Sequence, residues 1–334
     1  MNCSVSITFP RLVAASIAFS AVLAPVASAP AAMAQAAWPA KEVRLIAPFA
    51  PGSGGTAALA QMMAEKLREM WGQGVVLEHV PGSAGTIGVG RLAKASPDGY
   101  TLVLSGDAAI VVAINLYKSL SYDPVKDLAP IIQIGRTPNI LVVNKTRGPG
   151  SLKELVEQAK AKPGTITFNS AGYGTSQHIG FELLKRMADI DIRHVPSSGQ
   201  TAPDILGGHV TASFMNILVA LPHVRDGGMV ALGVSGVKRS PVAPQIPTVA
   251  EQGFPGFGAV AWFGLLAPAG TPDAVVRKVH ADAAKALSDP AFRNKVSGFG
   301  LELEENSTPE SFSAFIKQEI PRIGELVKAS GIKL

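Results

Sequence analysis

The feature that most constrains this sequence is a strand-like run followed by a Pro/Gly-rich loop and a helical pattern. Val43 to Ala47 predicts a buried strand, Pro48 to Gly55 a turn, and Thr56 to Trp71 a helix that ends at Gly72. Glycines let the backbone approach a ligand closely, and the N–H groups of a first helical turn have no partner inside the helix. Such groups, with the positive end of the helix dipole, attract anions. The stretch therefore predicts either an ordinary strand-to-helix turn or one half of an anion site.

Strand and helix signals alternate along almost the whole chain after residue 40. This alternation predicts α/β sheets with helices on their faces. The segment Ser170 to His178 repeats the opening arrangement, because it follows a strand at Thr165–Asn169 and begins a helix that carries Phe181 and Leu184. Two equivalent helix starts, far apart in sequence, predict two lobes that face one cleft.

Several other elements follow from local signals. The sequence predicts a strand over Tyr100–Leu104 that leads into a Ser105–Asp107 loop, and two separate strands at Ile131–Gly135 and Ile140–Val143. Ser151-Leu-Lys-Glu154 is a capping box, which predicts the start of a helix. Thr271-Pro272 and Thr308-Pro309 predict two further helix starts near the end of the chain.

The N-terminal forty residues predict an export signal. Arg11 is their only charged residue, and it precedes an apolar stretch from Leu12 to Val26. Small residues follow, with A-x-A cleavage patterns that end at Ala34 or Ala36. The apolar core is shorter than the ~20 residues of a membrane span, so an N-terminal anchor is the weaker alternative. We predict that residues 1–36 form a signal peptide.

Composition and missing motifs narrow the function classes. The formal charge of +5 over 334 residues comes from scattered Lys and Arg, which disfavours nucleic acid as a partner. Cys3 is the only cysteine and precedes the predicted cleavage sites. No histidine pair has metal-ligand spacing, the glycine loop lacks the P-loop lysine, and no Gly-x-Ser-x-Gly elbow occurs. These absences favour binding over catalysis and predict neither a metal nor a cofactor.

One enzymatic alternative stays open at this stage. Gly52-x-Gly54-x-x-Ala57 fits a relaxed dinucleotide fingerprint, and Glu78 ends the next strand, where a ribose-binding acid would lie. The stiff prolines Pro48 and Pro51 and the predicted export count against this interpretation. A receptor that signals to a membrane sensor is the second alternative.

The motifs together resemble one known family over the whole predicted mature chain. The sequence is similar to the solute receptors of tripartite tricarboxylate transporters, also called Bug proteins. The resemblance is carried by these stretches: Trp38-Pro39, Pro48-Phe-Ala-Pro-Gly52, Gly54-Gly-Thr56, Pro81-Gly-Ser-Ala-Gly-Thr-Ile-Gly88, Ala93-Lys-Ala-Ser-Pro-Asp-Gly-Tyr-Thr-Leu102, Leu116-Tyr117, Tyr122-Asp-Pro-Val-Lys-Asp-Leu-Ala-Pro130, Leu206-Gly-Gly208, Pro247-Thr-Val-Ala-Glu-Gln-Gly253 and Trp262-Phe-Gly-Leu-Leu-Ala-Pro-Ala-Gly-Thr-Pro272.

The resemblance implies a two-lobed, type II-like periplasmic binding protein of the Venus-flytrap kind, each lobe a mixed sheet flanked by helices. One lobe would comprise residues 37–139 plus 259–334, and the other residues 140–258. Such a protein would be a non-enzymatic, monomeric receptor that closes over a small carboxylated solute and transfers it to membrane permease subunits. The carboxylate would be bound by backbone N–H groups, small hydroxyls and water, without an arginine clamp.

The expected site residues fall into three groups. Backbone N–H groups and small hydroxyls would bind the carboxylate from two helix starts, while other residues would set the polarity of the cleft or form its walls. The first group comprises Ser53, Gly54, Gly55, Thr56 and Ala57 with Ser170, Gly174, Thr175 and Ser176; the second comprises Asp107, Ala108, His178, Ser198 and Asp204; the third comprises Phe49 and Trp262.

Two departures from the family pattern bear on the solute. Ala57 and Gln61 stand where many relatives have Asp and Arg, and Val195-Pro-Ser-Ser198 lacks the usual tyrosine. A missing acid removes a partner for an amino group on the solute. We therefore expect a plain aliphatic or aromatic carboxylate rather than an amino-dicarboxylate such as aspartate.

Overall fold

The computed structural model describes residues 1–8, 38–52, 55–197, 201–298 and 300–330. The chain divides into two compact units, residues 1–35 and 36–334. In the first unit, residues 1–8 form neither helix nor strand, and Cys3 is exposed. Most of the predicted signal peptide, and the predicted helix end at Gly331, lie outside the described residues. No helix within the described ranges combines the length and the apolar character that a membrane crossing requires.

The second unit is an α/β structure, as the alternation of signals predicts. Its strands are β1 (Val43–Ala47), β2 (Val75–His79), β3 (Thr101–Gly106), β4 (Leu128–Asn144), β5 (Thr167–Ser170), β6 (Arg193–Pro196), β7 (Ala212–Asn216), β8 (Met229–Val234), β9 (Val260–Pro268) and β10 (Glu302–Leu303). Its helices are α1 (Gly55–Trp71), α2 (Thr86–Ala93), α3 (Ala113–Leu116), α4 (Leu152–Ala161), α5 (Ser176–Ala188), α6 (Thr201–Leu206), α7 (Ile217–Arg225), α8 (Asp273–Ser288), α9 (Pro290–Gly298) and α10 (Pro309–Ser330).

The strands form one mixed sheet in the order β2-β1-β3-β9-β4-β7-β5-β6, with β8 and β10 also paired to β4. β1 is parallel to β2 and β3, and β5 is parallel to β6 and β7, whereas β4 and β9 run antiparallel to their neighbours. Helices cover both faces, because α1 and α8 share one apolar core with β1 while α2 and α10 share another. The predicted α/β class, a mixed sheet flanked by helices, is confirmed.

The long strand β4 joins two halves of this sheet. Its residues 128–138 pair with β9, and residues 139–144 pair with β7 and β8. The first half thus holds β1, β2, β3, β9 and β10, and the second half holds β5 to β8. The change of partners falls where we expect one lobe to end, although the assignment of lobes stays a prediction.

Two local predictions are wrong. The strands expected at 131–135 and 140–143 form one continuous strand, β4. The strand continues because polar groups between the two expected strands have hydrogen-bond partners in the folded protein: the N–H of Asn139 donates to Oγ of Ser235 at 2.9 Å. The loop expected at Ser105–Asp107 instead extends β3 to Gly106, which pairs with Phe263. A side chain at Gly106 would collide with the carbonyl oxygen of Trp262, so glycine permits this close strand pairing.

Candidate functional site

A cavity of about 60 Å³ lies where several chain segments meet at the junction of the two halves. A volume of this size is several times the ~10–15 Å³ that a single water molecule needs, which suits part of a small solute. The cavity is lined by Phe49, Gly55, Thr56, Ala57, Gly106, Asp107, Ala108, Ala109, Asn139, Ala171, Thr175, Ser176, Gln177, Asn216, Ala261 and Phe263. The two predicted helix starts, at α1 and α5, therefore face one shared cavity.

Helix α1 brings its first turn to the cavity through Gly55, Thr56 and Ala57. The first N–H groups of an α-helix have no acceptor within the helix, and they carry the positive end of its dipole. Gly55 packs closely against β7, since a Cβ there would lie 3.0 Å from Nδ2 of Asn216. A helix start from the first half of the sheet thus touches an amide from the second half.

Helix α5 presents a second helix start to the same cavity. Oγ1 of its N-cap residue, Thr175, accepts the N–H of His178 at 3.4 Å. The N–H of Gly174 donates to Nδ1 of His178 at 3.2 Å, which fixes the loop before the helix. The N–H groups of Ser176 and Gln177, the first two residues of the helix, have no backbone acceptor within it. They are consequently available to an anion in the cavity.

Neutral amides form the polar wall between the two helix starts. Asn139 on β4 lies opposite Asn216 on β7 in the sheet register. Nδ2 of Asn139 donates to Oγ of Ser176 at 3.0 Å, and Oε1 of Gln177 accepts the N–H of Ala171 at 2.7 Å. No lysine, arginine or histidine lines the cavity among the residues that the structure describes. Its recognition of an anion would therefore depend on dipoles and hydrogen-bond donors.

Asp107 is the one titratable side chain among the described residues of this lining. It lies directly before a short π-helix, Ala108–Val112, and is only 8% exposed. Burial raises the pKa of Asp107 to about 7, and the nearby carboxylate of Glu319 adds to this rise. Backbone hydrogen bonds from Asp107, Ala108 and Trp262 act in the opposite direction. The carboxyl group can therefore exchange a proton near neutral pH.

Apolar side chains complete the wall. Phe49 and Phe263 line the cavity together with alanines from the π-helix, from β9 and from the loop before α5. The carbonyl oxygen of Phe49 accepts a hydrogen bond from Nδ1 of His79 at 2.8 Å, which fixes the loop after β1. Buried apolar walls strengthen any hydrogen bond made inside the cavity, because little water competes for it.

The structure brings half of the predicted site residues together. Phe49, Gly55, Thr56, Ala57, Asp107, Ala108, Thr175 and Ser176 line the cavity. Ser53, Gly54 and Ser198 lie outside the described residues.

The remaining predicted residues are not part of the lining. Ser170 and His178 lie behind the loop that leads into α5, and the N–H of Gly174 is already bound to His178. Asp204 accepts a hydrogen bond from Nδ2 of Asn169 at 2.9 Å. Trp262 stacks edge-on against Phe312 and Phe315 in the core beneath α10.

Sequence reasoning missed several lining residues, chiefly Asn139 and Asn216. A usable signal existed for the two asparagines, since each interrupts or ends an apolar strand run, and a buried amide needs a partner.

The acid considered for ribose binding, Glu78, instead pairs with Arg44 at 3.4 Å and with Arg91. No group of three or more His, Cys, Asp or Glu side chains within the described ranges is arranged to hold a metal ion.

Comparisons with known proteins agree on the class of this molecule. The structure of R. palustris Rpa4515 with adipate matches with a TM-score of 0.84 at 30% identity, over 89% of this chain and 99% of that one. MatC (Rpa3494) from Rhodopseudomonas palustris with bound malate matches with a TM-score of 0.81 at 30% identity, over 86% and 99% of the two chains. Fold and cavity together define a periplasmic solute-binding receptor.

The family assignment is equally direct. Residues 59–332 match the model of the tripartite tricarboxylate transporter family receptor, TctC. Protein BugT of Bordetella pertussis is 35% identical over 300 residues, covering 89% of this chain and 91% of that protein. The chain belongs to the tripartite tricarboxylate transporter receptor family, which confirms the resemblance seen in the sequence.

Proposed function

We propose that this protein captures a small aliphatic or aromatic carboxylate in the cavity between α1 and α5 and delivers it to a tripartite tricarboxylate-type transporter. One observation carries the proposal: two helix starts from opposite halves of the sheet face one small cavity whose described lining contains no cationic side chain. Such an arrangement stabilises an anion through oriented N–H groups and helix dipoles. Relatives bound to adipate and malate support the carboxylate class.

The site residues that we propose are those of the cavity lining. N–H groups of Thr56, Ala57, Ser176 and Gln177 would bind the carboxylate oxygens, while the amides of Asn139 and Asn216 would orient the rest of the solute. Ala57 supplies no acid for an amino group, which favours a solute without one. The protein would act by binding alone, as a receptor and not as an enzyme.

The wider setting is also part of the proposal. Export through the N-terminal signal peptide would place the receptor in the periplasm as a monomer. Two lobes, residues 37–139 plus 259–334 and residues 140–258, would close over the solute and then release it to the membrane permease subunits. The transition of β4 from one set of partners to another at residues 138–139 supports a hinge there.

A thermal-shift screen tests this function. Succinate, adipate and benzoate would each be compared with the neutral amide of the same carbon skeleton. A ligand raises the melting temperature according to its concentration relative to its dissociation constant, so at least one carboxylate is expected to raise it while its amide does not. Equal shifts from a carboxylate and its amide, or a larger shift from aspartate than from succinate, would contradict the proposal.

A further inference from the structure

Asp107 occupies an unusual position, because it lines two cavities at once. One is the cavity between α1 and α5, and the other is a groove of about 500 Å³ beside α10. Ser176 is also shared by both. A carboxyl group that is 8% exposed and borders a space of about 60 Å³ lies close to any solute in that space.

No cation neutralises this carboxyl group directly. Among the described residues, Asp107 forms no salt bridge within 4 Å. Arg322 in the groove beside α10 is itself held by Glu319 through two hydrogen bonds of 2.6 Å, which raise the pKa of Arg322, and the charge of Asp107 adds to this rise. The groove beside α10 also carries Arg136 from β4, Glu302 from β10 and Lys238 from the loop after β8. In the cavity between α1 and α5, the lining residues from α1, α5, β7 and β9 have only neutral side chains. His178 on α5 stays neutral, since burial lowers its pKa to about 3.

We propose that Asp107 takes up one proton from solvent when a carboxylate solute enters the cavity, so that capture of the solute is linked to pH. The inference rests on the proposed function and adds a role to one of its residues. An ionised Asp107 would face an anionic solute inside a small, poorly hydrated space, where like charges repel strongly. Protonation removes that repulsion and turns the carboxyl group into a hydrogen-bond donor for the solute.

The direction of the pH dependence follows from linkage. The pKa of Asp107 without solute is raised to about 7, and a bound anion raises it further. Below pH ~6 the group is protonated with or without solute, so affinity does not change with pH. Above pH ~7 binding must recruit a proton, and affinity falls by up to about tenfold per pH unit until the pKa of the complex is reached.

Isothermal titration calorimetry of the purified protein tests the proposal with succinate, adipate and benzoate. Each titration is made from about pH 6 to about pH 8.5. The carboxyl group of benzoate is ionised throughout this range, whereas the second carboxyl groups of succinate and adipate titrate just below pH ~6, so benzoate gives the proton count at the acid end. At each pH, parallel titrations in two buffers that buffer at that pH and differ in ionisation enthalpy count the protons taken up. The expected uptake is close to zero at pH ~6 and approaches about one proton at pH ~8.5, with affinity falling by up to about tenfold per pH unit above pH ~7.

Two variants assign the proton to its site. Asp107→Asn mimics the neutral carboxyl group, so its affinity is expected to stay flat across the pH range. Glu319→Gln is the matched control, because it makes the same change of acid to amide on the neighbouring α10. It is expected to keep the pH dependence with a midpoint at lower pH, since the charge of Glu319 helps to raise the pKa of Asp107.

The outcomes separate the two proposals. Tight carboxylate binding without proton uptake overturns the role of Asp107 and leaves the proposed function standing. Loss of the pH dependence in Glu319→Gln but not in Asp107→Asn also overturns it, as does affinity that rises with pH. If none of the carboxylates binds at any pH, the proposed function fails and this inference fails with it. The proton count on the unmodified protein remains decisive even if Asp107→Asn does not fold.

Discussion

The buried His178 and the partly buried His194 stabilise the loop that forms one side of the cavity. The rings of His178 and His194 lie 4.6 Å apart, and Tyr173 packs edge-on against both. Nδ1 of His178 accepts the N–H of Gly174, which requires that nitrogen to be unprotonated. Burial lowers the pKa of His178 to about 3 and that of His194 to about 4, and neighbouring positive charge adds to both effects.

These histidines predict a loss of stability in mild acid. In the unfolded chain a histidine binds a proton below pH ~6.5, whereas the folded protein keeps both rings neutral until the pH nears 4 or 3. The unfolded state therefore holds more protons in this window, and each histidine lowers the free energy of unfolding by about 1.4 kcal/mol per pH unit as pH falls. Asp107 contributes an opposite slope of similar size in this window, because its raised pKa of about 7 means that the folded state holds its proton there. Urea unfolding between pH ~7 and pH ~4.5 therefore compares the slope of the unmodified protein with that of a histidine variant, in which the contribution of Asp107 is unchanged.

The variant His178→Asn isolates one of the two contributions. It removes a titrating ring and retains an acceptor for the N–H of Gly174, so the dependence of stability on pH is expected to become shallower by about 1.4 kcal/mol per pH unit. An unchanged slope would show that His178 is protonated in the folded state or that its environment is open to water.

Single residues also show the limits of prediction from sequence. Gly55 and Ser176 were predicted because each begins a helix after a glycine loop, which is a local pattern. Asn139 and Asn216 were missed, because they face the cavity only through the pairing of two strands that are distant in sequence. Trp262 was expected at the cavity wall, yet its ring lies against Phe312, on a helix almost fifty residues further along.

At the scale of elements, helix α5 links stability to the site. Its N-cap residue, Thr175, lines the cavity, and the cap aligns the N–H groups of Ser176 and Gln177. Helix α4 offers a matched cap away from the cavity, because Oγ of Ser151 accepts the N–H of Glu154 at 3.1 Å. The two caps make the same kind of bond, but Oγ1 of Thr175 also donates to the carbonyl oxygen of Gly172 at 2.8 Å and so helps to fix the loop before α5.

We therefore expect both Thr175→Ala and Ser151→Ala to lower stability. Ser151→Ala should lose about 1 kcal/mol of unfolding free energy, the usual effect of removing an N-cap side chain, and Thr175→Ala should lose at least as much because it also removes the hydrogen bond to Gly172. Only Thr175→Ala should also weaken carboxylate binding, which calorimetry measures. Equal affinity in both variants would mean that the start of α5 does not hold the solute.

Elements with strong local signals were predicted well, and those that depend on pairing were not. β1 has the predicted bounds, and the capping box at Ser151 begins α4 as expected. β4 was split in two, because Pro138 and Asn139 look like a break until their partners on β9 and from Ser235 are known. The short β10 is defined by its pairing with β4 and has little signal of its own.

At the scale of the whole molecule, the two halves of the sheet touch beside the cavity. Gly174, before α5, faces the region of α3, where a Cβ on it would lie 2.9 Å from Cδ2 of Leu116 and 3.1 Å from Cγ1 of Val112. Its φ of 80° is in the left-handed region that favours glycine. Gly227 has a similar φ of 76°, but a Cβ there would have no atom within 4 Å. A substitution at Gly227 therefore introduces backbone strain without a steric contact.

Replacement of each glycine by alanine tests whether closure depends on this contact. Gly227→Ala should lower the free energy of unfolding by about 1–2 kcal/mol through backbone strain alone. Gly174→Ala should cost more, and it alone should weaken carboxylate binding, because the added methyl group pushes the two halves apart. Similar affinity in both variants would show that this contact does not limit the proposed closure over the solute.

The most direct test of carboxylate binding between the two helix starts is a crystal structure of the protein with whichever carboxylate gives the largest thermal shift. We expect carboxylate oxygens within about 2.7–3.2 Å of backbone N–H groups in the first turns of α1 and α5, with Asn139 and Asn216 beside the solute. A solute bound elsewhere, or a carboxylate paired with a lysine or arginine side chain, would contradict this expectation.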